Sequence, residues 1–246
     1  DDPVGRLVRG AIEQHGVDVS RVETVPGVPS GVYFKNPLEL QQKVVYYRAG
    51  SAASTMDAAF LTALTGADPR VVHVSGITAA LSPDCGALLD AVVRDRVLGD
   101  ATVVFDVNYR PALWSIDEAA PRLLELAAAA DVVLVGRDEA EVLWQTPTAE
   151  DVRALLPGVA HLVVKDGDVE AVEFTADETV RVPAGVVDVV EPVGAGDAFA
   201  AGWEAGFLAG VPSASRLAAG HAAATAVLTS SGDHAPHMDA VRALLV

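Results

Sequence analysis

The chain is predicted to be an α/β protein built on a mostly parallel sheet with both faces covered, and three observations predict it. Four short apolar runs, 71–75, 102–107, 132–135 and 161–165, have the composition of fully buried strands. Stretches of helical periodicity, 84–98, 117–130 and 139–144, fall between them, and strand-then-helix repetition makes neighbouring strands parallel. The 246 residues are 51% hydrophobic and contain no Pro/Gly/Ser-rich linker, which predicts one core and a single domain over 1–246.

Taken in order, Asp2-Pro3 opens an amphipathic helix with Val4, Leu7, Val8, Ala11 and Ile12 on one face, stopped by Gly16. No strand precedes it. The runs 31–36 and 43–48 are β-rich and separated by Pro37 and polar residues, so they predict a hairpin projecting from the body as a small lid over 29–50. After the four buried strands, 169–174 and 179–182 predict an antiparallel hairpin, and three helices follow near 198–209, 213–229 and 236–245. An open parallel sheet binds its ligands beyond the carboxyl ends of its strands. Those ends carry Ser75 and Gly76, then Asp106, Asn108 and Arg110, then Arg137, Asp138 and Glu139, then Lys165 and Asp166. The ordinary alternative is that loops are polar.

Charge narrows the function. Thirty-four acidic against 17 basic residues give a net charge of −17, which repels nucleic acid and anionic membrane surfaces. Anionic small ligands then need local cations, and Arg48 and Arg110 are the candidates. Cys85 is the sole cysteine, so an intrachain disulfide or cysteine-based zinc site is excluded, and His234 and His237 lack partners at metal-ligand spacing. No apolar run is long enough to span a bilayer and nothing resembles a signal peptide, so a cytoplasmic location is the simplest reading.

The most informative stretch is Glu191-Pro192-Val193-Gly194-Ala195-Gly196-Asp197-Ala198-Phe199. Gly194 and Gly196 permit tight backbone geometry before a helix whose free N–H groups and dipole favour an anion. Asp197 then lies within reach of an acceptor hydroxyl, the arrangement of a phosphoryl-transfer site. Its alternative is an N-cap. Alternation on the hairpin sends Tyr46 and Arg48 to one face and Tyr47 to the other. Arg110, placed at a strand end, suits a forked grip on a carboxylate, with a nearby carboxylate such as Asp106 as the alternative partner.

Residues 190–203 resemble the C-terminal signature of the ribokinase-like (PfkB) carbohydrate kinases. Gly31-Val32-Tyr33-Phe34, Tyr46-Tyr47-Arg48-Ala49-Gly50-Ser51-Ala52, Val74-Ser75-Gly76-Ile77, Asp106-Val107-Asn108-Tyr109-Arg110 and Gly232-Asp233-His234 resemble, in order, the branch that phosphorylates 2-keto-3-deoxygluconate. The resemblance implies a three-layer α/β/α sandwich with a small β lid. It also implies ATP and Mg²⁺ as cofactors and transfer of the γ-phosphoryl group to a sugar-acid C6 hydroxyl. Asp197 is implied as the base, with Gly194, Ala195 and Gly196 stabilising the transferred group. Arg110 is implied to bind the substrate acid, with Tyr46, Arg48, Asp233 and Tyr33 around the sugar. Core packing is the alternative for Tyr33, and a turn after the preceding helix for Asp233. On the nucleotide side the resemblance implies Lys165, Gly194, Gly196 and His221, against a solvated lysine and a helix-surface histidine. Glu139 corresponds to the acid of an Asn-x-x-Glu motif that supports Mg²⁺ through water, against a first-turn helix acid; Gly136 stands at the asparagine position.

Two further departures shape the expectations. Glu191 replaces an aspartate near which some relatives hold a monovalent cation, leaving potassium dependence open. Relatives begin with a central strand, part of the lid and a Gly-Gly helix, and the 246 residues contain none of these, so a longer polypeptide is expected. The competing functions are another PfkB sugar kinase, for fructose, ribose or a nucleoside, and a catalytically dead nucleotide-binding scaffold. A neutral sugar gives no reason for two guanidiniums over the site. The exposed edges of the lid predict self-association.

Overall fold

A computed structural model describes residues 1–34, 45–231 and 238–246. In chain order its elements are α1 Pro3–Gln14, β1 Val32–Phe34, β2 Val45–Tyr47, a 3₁₀ turn Ala52–Thr55, α2 Phe60–Ala63, β3 Val71–Ser75, α3 Gly76–Leu81, α4 Pro83–Val93 and β4 Thr102–Asp106. They continue with α5 Ile116–Ala129, β5 Val132–Gly136, α6 Arg137–Trp144, α7 Ala149–Leu155, β6 His161–Asp166, β7 Glu170–Phe174, β8 Thr179–Pro183, α8 Ala195–Ala209, α9 Ser213–Leu228 and α10 Asp239–Ala243.

Six strands form one sheet in the order β3-β4-β5-β6-β7-β8, with β3 to β6 parallel and β7 and β8 antiparallel additions. Successive residues of each strand face opposite layers. Val103, Phe105, Val133 and Val135 pack with Leu123 and Leu126 of α5 and Val152 of α7. Val104, Val132, Leu134 and Val163 pack against Phe199 and Trp203 of α8 and Leu217 of α9. Every one of these residues is buried, which explains the unbroken apolar runs in the sequence. The result is the three-layer α/β/α sandwich that the sequence predicts. The lid pair β1 and β2 is a separate antiparallel ladder with Tyr33 opposite Tyr46.

Helices α8 and α9 cross closely because small residues line their contact. A Cβ on Gly202 would sit 2.4 Å from the Ala219 carbonyl oxygen, so only glycine fits there.

Several boundaries differ from the sequence reading, each for a local reason. The helix predicted over 84–98 stops at Val93, because Arg96 takes φ 54° and sends both guanidinium nitrogens to Asp131, at 2.7 and 2.6 Å. Helices α3 and α7 are short and went unread. Helix α8 starts at Ala195 rather than at 198, so the glycine turn is part of its first turn. Arg110 does not end a strand: β4 stops at Asp106, and Asn108, at φ 45°, turns the chain toward Arg110. No residue of α1 is buried, and Leu7 is 72% exposed, so its apolar face does not pack as a core face. The helix predicted at 236–245 is described only as α10.

Candidate active site

The parallel strands β3 to β6 end on one side of the sheet, and the residues just beyond them converge with the start of α8. Gly194 precedes α8 at φ 89° and ψ −10°, a left-handed conformation that glycine adopts without steric cost. The turn leaves the Gly196 and Asp197 N–H groups without a hydrogen-bond partner among the described residues. Both amides and the positive end of a 15-residue helix therefore face the site. Asp197 is the third residue of the helix and no side-chain cap bond is present at Gly194, which removes the N-cap alternative. Glu191 is buried and accepts from the Val193 N–H at 2.9 Å, bracing the turn from behind.

Two cavities meet here. One, of about 760 Å³, lies between the lid and the sheet and is lined by Tyr33, Tyr46 and Arg48 from the lid, Arg110 from the loop after β4, and Gly194, Gly196 and Asp197 from α8 and its approach. Arg48 rests over the Tyr46 ring, 4.3 Å from its centroid, so the aromatic face holds the guanidinium beside the cavity. Arg110 donates to the Tyr109 carbonyl at 2.9 Å and makes no ion pair among the described residues. Its alternative partner, Asp106, is instead taken by Lys165 at 3.4 Å. The other cavity, of about 450 Å³, is largely apolar and runs from Lys165 and Gly196 to His221, Thr225 and Leu228. Lys165 lines both and marks their junction, close to the glycine turn, rather than standing in solvent.

Glu139 lines the larger cavity but is already engaged on both carboxylate oxygens, accepting from the Tyr109 N–H and from the Gly136 N–H at 3.2 Å. It thus ties the start of α6 to the loop that carries Arg110. Burial, followed by the charge of Asp106, pushes its carboxyl above the ordinary glutamate range. His221 is half-buried rather than on the helix surface: its Nε2 meets the Val182 carbonyl at 3.0 Å and its ring stands edge-on to Phe199. Burial pushes this imidazole below its usual value. Arg137 and Asp166, both at strand ends, pair with each other at 2.8 Å and line neither cavity. Asp233 lies outside the described residues.

In the sequence Asp106, Asn108 and Asp138 read only as polar strand-end residues, Asp106 also as an alternative partner for Arg110, and all three line the larger cavity. Their positions at or just past the ends of β4 and β5 were the available signal. The apolar walls of the smaller cavity, Val186, Val187 and Val189, come from an irregular segment whose sequence shows no periodicity, so nothing local marked them.

Comparison with known proteins gives a concordant result. The family model described as pfkB family carbohydrate kinase matches residues 1–240. A curated relative named 2-dehydro-3-deoxygluconokinase, from Thermoproteus tenax, is 34% identical over 95% of this chain and 73% of its own length. A solved PfkB protein from Polaromonas sp. JS666 is 31% identical with a TM-score of 0.82, covering 93% of this chain and 77% of that one. Aminoimidazole riboside kinase from Salmonella enterica, solved with aminoimidazole riboside and an ATP analogue, is 25% identical with a TM-score of 0.78, covering 100% of this chain and 83% of that one.

Proposed function

Because the chain belongs to the pfkB family of carbohydrate kinases, we propose that it transfers the γ-phosphoryl group of ATP to the C6 hydroxyl of 2-keto-3-deoxygluconate, giving 2-keto-3-deoxy-6-phosphogluconate and ADP. The observation that carries this reading is the pair of guanidiniums, Arg48 and Arg110, on the cavity that also receives Asp197 and the two free amides. A carboxylate at one end of the acceptor would be gripped by the arginines while the hydroxyl at the other end meets Asp197. The substrate for which the Thermoproteus tenax relative is named supports the same acceptor, and the ATP analogue in the riboside kinase supports the donor.

In this mechanism Asp197 accepts the C6 hydroxyl proton as the oxygen attacks the γ-phosphorus and ADP leaves. The transition state is loose, so its cost is met by positioning and electrostatics. The Gly196 and Asp197 amides, together with the α8 dipole, stabilise the charge on the equatorial oxygens, and Gly194 and Ala195 hold that turn. Lys165 adds a cation where donor and acceptor cavities join. His221 forms part of the donor cavity wall. The oxygen-only donor set suits Mg²⁺: carried on the nucleotide phosphates it would neutralise their charge, with Asp106 and Glu139 holding its water ligands. A cation there would relieve the repulsion that Asp106 exerts on Glu139.

Arg110→Lys tests the acid grip. A point charge does not reproduce the bidentate fork, so kcat/KM for the sugar acid is expected to fall by about 10- to 100-fold, with MgATP binding unchanged. A coupled ADP-release assay over sugar acids and neutral sugars measures it. Equal losses for acidic and neutral acceptors would make Arg110 structural and remove the basis for an acid substrate.

Use of ATP as the donor supports a cytoplasmic location, and no helix among the described residues is long and apolar enough to cross a membrane. The outer face of the lid, where Phe34 and Tyr47 stand edge to face and are each 61% exposed, supports self-association through the lid. Sedimentation equilibrium at micromolar protein is expected to give a dimer or larger species, and a monomer there would refute it.

A further inference from the structure

We propose that Glu139 is a positioning residue for the acceptor: by holding the backbone of the loop after β4 it aims Arg110 at the substrate carboxylate, a task separate from any part it takes in holding Mg²⁺. The inference rests on the reading of Arg110 as the acid grip and deepens it.

Helix α6 follows β5 directly, and Glu139 stands at its third position. One carboxylate oxygen, Oε2, accepts from the N–H of the N-cap Gly136, the half of a capping box that a glycine N-cap allows. The other, Oε1, accepts from the Tyr109 N–H on the loop that leaves the neighbouring strand β4. Helix α7 shows what capping alone requires. At its third position Asp151, one methylene shorter, completes the box with Thr148 through a single oxygen, Oδ2. Glu139 therefore has a reach and an oxygen that its own helix does not need.

The turn that it holds has little else to fix its course. The Val107 N–H donates to the Leu134 carbonyl of β5, and Asn108 then takes φ 45°, a left-handed conformation that costs a residue with a side chain, although asparagine less than most. Of the N–H groups of residues 108 to 110, only that of Tyr109 has a hydrogen-bond partner among the described residues. The buried Tyr109 ring settles where the loop sits on the core, whereas the bond to its N–H settles how the chain enters it from Asn108. Without that bond Asn108 is free to relax to a negative φ, and the chain that follows leaves on a new course. Arg110 is the next side chain. A bidentate grip on a carboxylate is directional, and a misplacement of about 1 Å can cost on the order of 100-fold.

The test is a double-mutant cycle on kcat/KM for the sugar acid. Glu139→Asp keeps an acid able to cap the helix, as Asp151 does in α7, but one too short to reach Tyr109 as well. It is expected to lower kcat/KM by about 10- to 100-fold, chiefly through the KM for the acid, with the KM for MgATP within about 3-fold of wild type. Added to Arg110→Lys, the same change is expected to cost less than about 3-fold more, because the grip that Glu139 serves is already lost. Glu139→Gln, which keeps the volume and exchanges an acceptor oxygen for a donor, is expected to show the same non-additivity. A merely structural role would reduce the active fraction, which lowers kcat and leaves both KM values alone. That outcome, losses that multiply through the cycle, or a change confined to the KM for MgATP overturns the inference while leaving Arg110 as the acid grip. If Arg110→Lys by itself spares the sugar acid, or costs neutral sugars as much, that reading falls and the inference with it.

Discussion

Asp197→Asn is expected to lower kcat by about 10² to 10⁴ while leaving MgATP affinity within a few-fold of wild type. Asparagine has the size and shape of aspartate, so the first turn of α8 and its two free amides should survive. What disappears is the proton acceptor. The hydroxyl must then attack without a base, and only the positioning and the electrostatic cradle remain to accelerate transfer. Nucleotide affinity should hold because the proposed donor contacts, Lys165, the apolar cavity and the amides, do not change. Steady-state kinetics with a nucleotide-binding titration separates the two effects. Activity within a few-fold of wild type would show that Asp197 does not take the proton, and the proposed mechanism would lose its base.

Removing the cation from a buried pair toward the opposite end of the sheet, beneath α8 and α9, is expected to have the largest effect on stability. Glu173 in β7 is fully buried, and its carboxylate accepts from Arg216 Nη2 at 2.7 Å, His161 Nδ1 at 3.0 Å and Trp203 Nε1 at 3.0 Å. Burial pushes this carboxyl up, and the hydrogen bonds from His161, Arg216 and Trp203 outweigh it, leaving the group below its ordinary value. Arg216→Met keeps much of the volume over Trp203 and Phe207 but strands the charge. The cost is expected to be about 3 to 5 kcal/mol, measured by urea unfolding at pH 7.

The pH dependence gives an independent readout with a definite sign. In the wild type the folded value is depressed, so this contribution is present above the unfolded carboxyl value and is lost as pH falls through the folded one. In the variant the guanidinium no longer offsets burial and the balance tips toward the protonated form. The stability gap between the two proteins should therefore narrow on going from pH 7 toward pH 4. A gap below about 1 kcal/mol at pH 7, or one that widens in acid, would show that the pair is not what fastens α8 and α9 to the sheet.

Nothing in the sequence marks Glu173 as special. It reads as the polar position of an alternating strand, yet the structure buries it because α8, through Trp203, and α9 cover that strand. Lys165 is a similar case. At a strand end it reads equally well as a solvated side chain, and its pairing with Asp106 spans 59 residues. Glu139 had two readings, a helix-start acid or a magnesium residue, and the geometry gives it a further task, bonding the Tyr109 N–H 30 residues away. By contrast, the glycine turn before α8 was legible. Its chemistry depends on glycines and an aspartate adjacent in the chain, and only the starting residue of the helix had to be moved.

The sequence by itself determined the order of the sheet strands and of the principal helices, the parallel character of the central sheet, the pairing of β1 with β2 and the glycine turn before α8. Hydrophobic period, turn residues and capping act over a few residues, so their pattern is written locally. Tertiary structure alone decided which charges meet, which polar groups are buried and which irregular segment walls the smaller cavity. Those outcomes depend on crossovers that bring together side chains 30 to 60 positions apart, and the energy of a buried pair is set by the surrounding packing rather than by its neighbours in the chain. A glutamate facing water and a glutamate clamped by arginine, histidine and tryptophan have the same local sequence signal, and only the fold distinguishes them.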